Sequence, residues 1–283
     1  MTSFHLKIKQ HIYLLRWHKP IGFFLLGWPV VWVFIQLHDQ VQLRTIINFL
    51  IGIILTRSLG CLINDLFDQN FDRQVKRCQN RPLAAGTLSK QETILPIALH
   101  LAGLCFIFYH LTIKTQLLAL LAAGLMVLYP TSKRWCIFPQ AILALAFSIA
   151  IPMAYIEVTG SIPIVGYWWI AFNFLWTILY DHLYAMADLI DDQKLPIHSS
   201  AKLIDPYHRH FLSIGYLLIA VILIMVGYLQ LLPIWFYLIA SAAWCWILRK
   251  TWLAETNQPK LCLQAFLANA WFGGWIALSL CTF

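Results

Sequence analysis

Long apolar runs alternate with short polar segments along the whole chain. The runs are continuous rather than alternating with period two, so they predict helices and not barrel strands. Crossing a bilayer takes about 20 apolar residues, and nine runs approach that length. The predicted spans are 20–37, 45–66, 92–112, 115–130, 137–157, 163–185, 209–229, 232–248 and 262–282. The pattern predicts an all-α, polytopic membrane protein, with residues 1–283 forming a single domain.

The composition excludes a soluble globular protein. Of the 283 residues, 60% are hydrophobic and only 11% are charged, whereas a soluble domain has about 25% charged residues. The net charge of +8 could suggest nucleic acid, but the basic residues lie in short loops between apolar runs, and no nucleic-acid partner is expected. The seven cysteines show no metal-site spacing and indicate reduced, buried thiols. The basic N-terminus runs into the first span without a cleavage site, which indicates a signal anchor.

The positive charges are strongly sorted between the two sides of the predicted bundle. Seventeen of the 20 Lys and Arg residues lie in the N-terminus and the even-numbered loops. The other side receives only Arg44 and Lys114, and Arg57 lies inside a span. Positive residues mark cytoplasmic loops. The sorting therefore predicts a cytoplasmic N-terminus and places the C-terminal Phe283 on the opposite side.

Two acidic groups stand at the cytoplasmic ends of the second and sixth spans. At 100° per residue, the members of the first group share an arc of about 100° on a helix. Three members of the second fall within about 40° of one another by the same arithmetic. The first acidic group is defined as Asp65, Asp68 and Asp72 together with the neighbouring carboxamide of Asn64. The second acidic group is Asp181, Asp188, Asp191 and Asp192.

Carboxylates held this closely repel one another and favour bound cations. Oxygen-only ligands, without a His or Cys pattern, indicate Mg²⁺ rather than Zn²⁺ or iron. Because Mg²⁺ typically bridges a few carboxylates and substrate phosphates, two facing groups suggest a diphosphate between them. The alternative interpretation is that these acids are solvated helix ends.

Basic residues follow the first acidic group and supply possible phosphate ligands. Arg77 and Arg81 come five and nine residues beyond Asp72, a spacing that allows contact with phosphate oxygens. Arg57 lies two helical turns deeper than Asn64, where an arginine is costly. It is interpreted either as the partner of a buried anion, such as a substrate carboxylate, or as a residue satisfied by a neighbouring carbonyl.

Two classes of function are compatible with these features. One is an enzyme acting on a diphosphate. The other is a cation-coupled transporter for an anionic or lipid-phosphate solute. A transporter typically places ionisable groups near the membrane midplane and shows inverted repeats. The acids here crowd at one face, which favours the enzyme.

Several motifs occur in an order that resembles the UbiA family of intramembrane aromatic prenyltransferases. The first is Asn64-Asp65-x-x-Asp68-x-x-x-Asp72, followed by Lys76-Arg77-x-x-Asn80-Arg81-Pro82. The second is Asp181-x-x-Tyr184-Ala185-x-x-Asp188-x-x-Asp191-Asp192. Lys19-Pro20-Ile21-Gly22 and Tyr129-Pro130-x-x-Lys133-Arg134 are similar to its lesser motifs. The resemblance extends from about residue 14 to 205.

The resemblance implies nine helices around a central cavity with a cytoplasmic cap, in a bacterial inner membrane, and an active site toward the cytoplasm. It implies Mg²⁺-dependent transfer of a polyprenyl group from its diphosphate to a ring carbon of an aromatic acid. Within the family, the motifs most resemble those of the enzymes that act on 4-hydroxybenzoate in ubiquinone biosynthesis. Naphthoate, homogentisate or haem remain alternative acceptors. No obligate protein partner is implied.

The resemblance also implies a role for each matched residue. The implied metal ligands are Asn64, Asp68 and Asp72 for one Mg²⁺ and Asp181 and Asp188 for the other. The implied diphosphate ligands are Arg16, Arg77, Arg81 and Lys133. The implied ligands of the aromatic substrate are Arg57 for its carboxylate, with Tyr129, Asp191 and Asp192 beside it.

The chain departs from the family pattern in its cytoplasmic segments. His18 replaces a usual acid, and Leu189-Ile190 replace a usual charged pair. Pro196 and His198 stand where glycine and lysine are common. The metal positions are retained, so catalysis is expected, while the substrate preference depends on the altered segments.

Overall fold

The computed structural model describes residues 2–281, and every regular element in that range is helical. A single 3₁₀ turn at Gln91–Thr93 precedes the fourth helix. The twelve α-helices are α1 (Thr2–Leu14), α2 (Ile21–Gln36), α3 (Leu43–Asp72), α4 (Ile94–Tyr109), α5 (Ile113–Ser132), α6 (Gln140–Ser148), α7 (Ala150–Thr159), α8 (Ile164–Asp192), α9 (Ser200–Ile204), α10 (His208–Leu229), α11 (Ile234–Trp252) and α12 (Pro259–Leu280). The all-α prediction is confirmed.

A helix lies at each of the nine predicted spans. Six helical segments between residues 2 and 281 are long and apolar enough to cross a membrane: Leu43–Asp72, Gln91–Tyr109, Ile113–Ser132, Gln140–Thr159, His208–Leu229 and Pro259–Leu280. The apolar α2 is shorter, at 16 residues, and α8 and α11 are not among the six. The number of crossings stays a prediction, and Phe283 lies outside the described residues.

The fifth predicted span is two helices, α6 and α7, that meet at Ile149. Pro152 lies three residues beyond this junction. A proline has no N–H to donate to the carbonyl four residues earlier, and its ring clashes with that carbonyl. The carbonyl concerned is that of Ser148, the last residue of α6, which accounts for the interruption.

The two acid-bearing helices extend beyond their predicted ends. The predicted spans stop at residues 66 and 185, but α3 continues to Asp72 and α8 to Asp192. Hydropathy falls where the carboxylates begin, while the helical backbone continues, as the shared helical arc of each acidic group had predicted. Both acidic groups therefore lie on rigid helices, where the side chains keep a defined spacing.

Aromatic side chains fill the bundle interior between α2, α8 and α12. The ring of Trp32 lies 5.2 Å from Trp169 and 5.4 Å from Trp176, centroid to centroid. Trp176 Nε1 donates to Asn269 Oδ1 at 2.7 Å, so its polar atom is satisfied. This packing fixes the orientation of α8, which bears the second acidic group.

The polar segments after α3 and α8 pack against each other. Val75 and Cys78 form a small buried cluster with Leu195. The Lys76 amide donates to Asp191 Oδ2 at 3.1 Å, and the His198 amide donates to the Lys133 carbonyl at 2.7 Å. The two segments thus form one surface over the ends of α3, α5 and α8.

Two cavities, of about 330 and 260 Å³, lie against α11, and the second also lies against α10. Both are lined by Trp244 and Cys245, and neither includes a member of the acidic groups. The predicted central cavity therefore remains an expectation.

Candidate functional site

Asp65 is the most deeply buried acid of the first acidic group. Its side chain is 1% exposed, and both of its oxygens accept from Arg16 Nη2, at 2.7 and 2.8 Å. Arg81 Nη1 donates to the same carboxylate at 3.1 Å. Asp65 therefore holds two of the predicted diphosphate ligands in place, a role that the sequence analysis did not assign to it.

The other acids of α3 pair with predicted diphosphate ligands as well. Lys133 Nζ donates to Asp68 Oδ2 at 2.5 Å, and Arg81 Nη1 donates to Asp72 Oδ2 at 2.7 Å. Asn64 is partly buried, and its side-chain amide makes no hydrogen bond within residues 2–281. The predicted metal ligands and phosphate ligands of this helix thus lie in direct contact.

The second acidic group pairs with the segment that follows α3. Arg77 Nε donates to Asp188 Oδ1 at 2.9 Å, and Arg77 Nη2 donates to Asp188 Oδ2 at 2.5 Å. Arg77 also stacks over Tyr184, 4.2 Å from the ring centroid, and donates to its hydroxyl. This bidentate pair joins residues 111 positions apart and brings Arg77 to the end of α8.

Tyr129 shows that the two acidic groups lie around one space. This α5 side chain is within electrostatic reach of both Asp181 on α8 and Asp68 on α3. The Lys133 ammonium lies 5.6 Å from the Tyr129 ring centroid. The ends of α3, α5 and α8 therefore lie near one another.

Ion pairing keeps the basic residues of the site charged. Burial opposes the charge of Lys133, but Asp68 outweighs it, and the pKa of Lys133 is raised. Burial likewise opposes the charge of Arg77, and the pKa of this guanidinium is raised by Tyr184 and Asp188. Both groups are therefore cationic throughout the physiological pH range and suited to bind an anion.

The acids fit Mg²⁺ by donor type, although no three of them form a compact cluster in the described part of the chain. Mg²⁺ is commonly held by one or two carboxylates together with substrate phosphates. Asp181 lies seven residues before Asp188, about 10.5 Å along a helix, whereas Asp192 lies one turn after it. The spacing along α8 favours Asp192 over Asp181 as the partner of Asp188.

Lys19 is a basic residue of the site that the sequence analysis did not assign. Its ammonium makes no ion pair among residues 2–281. Although Lys19 is exposed, partial desolvation lowers its pKa, and so do the positive charges of Arg77, Arg16 and Arg81. Four cations therefore lie in one region, and three of them, Arg16, Arg77 and Arg81, are paired with carboxylates. The signal in the sequence is the Lys19-Pro20-Ile21-Gly22 motif.

Arg57 lies deeper on α3, beside α8. Its Nε is buried and has no hydrogen-bond partner, and the side chain forms no ion pair within the described residues. It is within electrostatic reach of Tyr180 and Asp181. The alternative interpretation, a hydrogen bond from Arg57 to a neighbouring carbonyl, is not found in the described residues. The guanidinium is therefore available to bind an anion.

The departures from the family pattern have structural accounts. The His18 ring stacks on Tyr13 at 4.0 Å, and burial lowers its pKa, so that it is neutral where the family has a charge. Leu189 is buried and Ile190 is exposed. His198 contacts Lys133 through its backbone amide, an interaction that does not depend on its side chain. Pro196 is exposed.

Comparison with known proteins gives a consistent result. The profile of the UbiA prenyltransferase family matches residues 24–273. A 4-hydroxybenzoate octaprenyltransferase of Idiomarina loihiensis is 36% identical over 94% of this chain and 95% of its own. One of Aeromonas hydrophila is 39% identical over 94% of this chain and 93% of its own.

Solved structures share the fold at low sequence identity. A UbiA homolog from Aeropyrum pernix superposes with a TM-score of 0.74 and 19% identity, covering 90% of this chain and 96% of that one. A UbiA homolog from Archaeoglobus fulgidus, bound to GPP and Mg²⁺, superposes with a TM-score of 0.68 and 16% identity, covering 97% of this chain and 100% of that one. With its motifs, fold and relatives in agreement, the chain belongs to the UbiA prenyltransferase family.

Proposed function

We propose that the protein transfers a polyprenyl group from polyprenyl diphosphate to a ring carbon of 4-hydroxybenzoate, a membrane step of ubiquinone biosynthesis. The relatives that match over nearly the whole chain carry the name 4-hydroxybenzoate octaprenyltransferase. The paired acidic groups and the converging cations suit a metal-bound diphosphate. Arg57 suits an acceptor that carries a carboxylate.

The observation that carries the choice of acceptor is the unpaired guanidinium of Arg57. A cation in a low-dielectric interior is costly unless an anion accompanies it. A guanidinium binds a carboxylate through two parallel hydrogen bonds, and such charge-assisted bonds count for more away from water. An aromatic acid is therefore favoured over an acceptor without a carboxylate, such as a simple phenol.

The diphosphate would be bound at the convergence of the basic residues. Lys19 lies within electrostatic reach of Arg16, Arg77 and Arg81, and Asp65 holds Arg16 and Arg81 in this region. Lys133 would join them from its contact with Asp68. Asn64, Asp68 and Asp72 on α3, with Asp188 and either Asp181 or Asp192 on α8, would hold Mg²⁺. The metal, when bound, neutralises charge that develops on the leaving diphosphate.

The reaction exchanges one bond for another. The C–O bond between the allylic carbon and the diphosphate breaks, and its electron pair leaves with the diphosphate. A ring carbon ortho to the phenol forms the new C–C bond and then loses its proton. Basic side chains stabilise the leaving group, the faces of Tyr129 and Tyr184 can stabilise the allylic cation, and a site within the bilayer excludes water.

We further propose that residues 1–283 form one nine-helix domain in a bacterial inner membrane, with the acidic groups facing the cytoplasm. The distribution of Lys and Arg supports this orientation. The packed surface formed by the segments after α3 and α8 would then be the cytoplasmic cap.

A direct transfer assay tests the function. Purified protein in detergent, given geranyl diphosphate and Mg²⁺, is expected to prenylate 4-hydroxybenzoate and to use 4-hydroxybenzamide poorly, because the amide cannot pair with a guanidinium as an anion. A panel with naphthoate and homogentisate tests the other acceptors. Equal use of the acid and the amide would contradict the role given to Arg57.

A further inference from the structure

Gly22 and Arg57 meet where α2 packs against α3. Gly22 is the second residue of α2 and is buried. A Cβ placed on it would lie 1.9 Å from Arg57 Nε, 2.5 Å from Nη2 and 2.6 Å from Cζ. The guanidinium therefore occupies the volume that any side chain at position 22 would need.

The backbone conformation does not require a glycine at this position. Between residues 2 and 281, the glycines with positive φ are Gly86 and Gly160 only, so Gly22 has a conformation open to any residue. Within a helix, alanine is favoured over glycine by about 1 kcal/mol. What excludes a side chain at position 22 is Arg57.

The contact is with the flexible end of a side chain. A methyl group at position 22 would displace the guanidinium, whereas the three atoms nearest to it include no backbone atom. The helix packing is therefore expected to survive an alanine, while the guanidinium moves. Its buried Nε, which has no partner, would move with it.

We propose that Gly22 is a specificity-determining positioning residue, which seats the Arg57 guanidinium so that it meets the carboxylate of the acceptor. This inference rests on the proposed function, because it assigns the carboxylate of an aromatic acid to Arg57. It adds that the first turn of α2, and not α3 alone, controls which acceptors are used.

Gly27 offers a matched control. It lies on the same helix and also faces α3, but a Cβ there would meet only Ile53 Cδ1, at an ordinary 3.8 Å. An alanine at either position removes one glycine from α2 and adds one methyl group to the same interface. Only the change at position 22 disturbs a guanidinium.

The experiment compares wild type with Gly22→Ala, Gly27→Ala, Arg57→Ala and the double variant Gly22→Ala/Arg57→Ala. KM is measured for 4-hydroxybenzoate and for geranyl diphosphate, and acceptor binding is measured by calorimetry. Gly22→Ala is expected to raise the acceptor KM and Kd about tenfold, a loss of about 1.4 kcal/mol, with the diphosphate KM unchanged. Gly27→Ala is expected to match wild type.

The double variant separates positioning from general damage. Without a guanidinium to displace, Gly22→Ala should cause no further loss in the Arg57→Ala background, and the double variant should fold even if the single one does not. An unchanged acceptor KM in Gly22→Ala, additive losses in the double variant, or a double variant that fails to fold would each overturn the inference.

The same data distinguish this inference from the proposed function. If wild type prenylates 4-hydroxybenzoate and Gly22→Ala does so with normal KM, the inference is wrong and the function stands. If wild type shows no transfer but binds the acid, and Gly22→Ala weakens that binding, the function is wrong and the positioning role stands.

Discussion

The buried Asp65 and the half-buried Arg57 of α3 have opposite surroundings. Asp65 accepts hydrogen bonds from Arg16 and Arg81, whereas Arg57 has a buried Nε with no partner. Removing Asp65 would leave two guanidinium groups without this carboxylate, so Asp65 contributes to the fold. An arginine side chain without a partner inside a span is costly to the fold, so Arg57 is the better candidate for ligand binding.

Replacing Asp65 by Asn is therefore expected to destabilise the protein. Arg16 would lose its carboxylate and Arg81 would keep only Asp72, at a cost of about 3–5 kcal/mol for a broken buried pair. Thermal unfolding in detergent measures the loss. Glu92→Gln, which breaks the exposed ion pair with Lys7, is the control and should have the same melting temperature as wild type. Equal melting of the two variants would contradict the anchoring role.

Arg57→Ala and Arg57→Lys are expected to raise the KM for 4-hydroxybenzoate at least tenfold. Truncating a buried charged pair costs about 2–5 kcal/mol, and lysine does not reproduce the fork of a guanidinium. The KM for geranyl diphosphate should change little. If diphosphate affinity fell while the acceptor KM stayed constant, Arg57 would belong to the phosphate site instead.

At the scale of elements, Lys202 organises the segment between α8 and α9. Its ammonium donates to the carbonyls of Asp192, Leu195 and Ile197, the last at 2.7 Å. Buried backbone carbonyls need such partners, and one side chain here satisfies three. The segment in turn packs on Val75 and Cys78 from the segment after α3.

Removing this ammonium should loosen the segment. Lys202→Ala is expected to speed tryptic cleavage after the exposed Lys194, because local opening exposes the backbone to protease. Cleavage is followed by mass spectrometry, with Lys260→Ala as a control that removes an exposed lysine elsewhere. A cleavage rate equal to that of the control would show that Lys202 does not hold the segment.

The helices were predictable because their signal is local. A helix lies at each of the nine predicted apolar runs, and the spacing of Asp68 and Asp72 indicated that α3 continues past its apolar part. The short polar helices α1 and α9 have no apolar run and were not predicted. The interruption between α6 and α7 was missed, although Pro152 is a local signal for it. Hydropathy alone would have ended α3 and α8 too early, because it cannot follow a helix into polar sequence, whereas the spacing of the acids could.

At the scale of the whole molecule, the partners of the charged residues were not predictable. Asp65 and Arg16 are 49 residues apart, and Asp188 and Arg77 are 111 apart. Such pairs depend on helix packing, which composition and periodicity do not specify. The sequence identified both the predicted metal ligands and the predicted phosphate ligands. It did not indicate that Asp68 and Asp72 of α3 each contact a predicted phosphate ligand.

The orientation in the membrane is a property of the whole chain. Reporter fusions after residues 87 and 203 should report the cytoplasm, and a fusion after residue 283 should report the opposite side, because 17 of the 20 Lys and Arg residues mark one face. A non-cytoplasmic signal from either of the first two fusions would contradict the topology.

The central claim is that the acidic groups of α3 and α8 act together on one metal-bound diphosphate. Its most direct test is the Mg²⁺-dependent prenylation of 4-hydroxybenzoate by wild type, Asp68→Ala and Asp188→Ala, with folding checked by thermal melting. The account predicts that each variant folds and that neither turns over, because each removes a charge from a different helix of the same site. Near-normal turnover by either folded variant would contradict it.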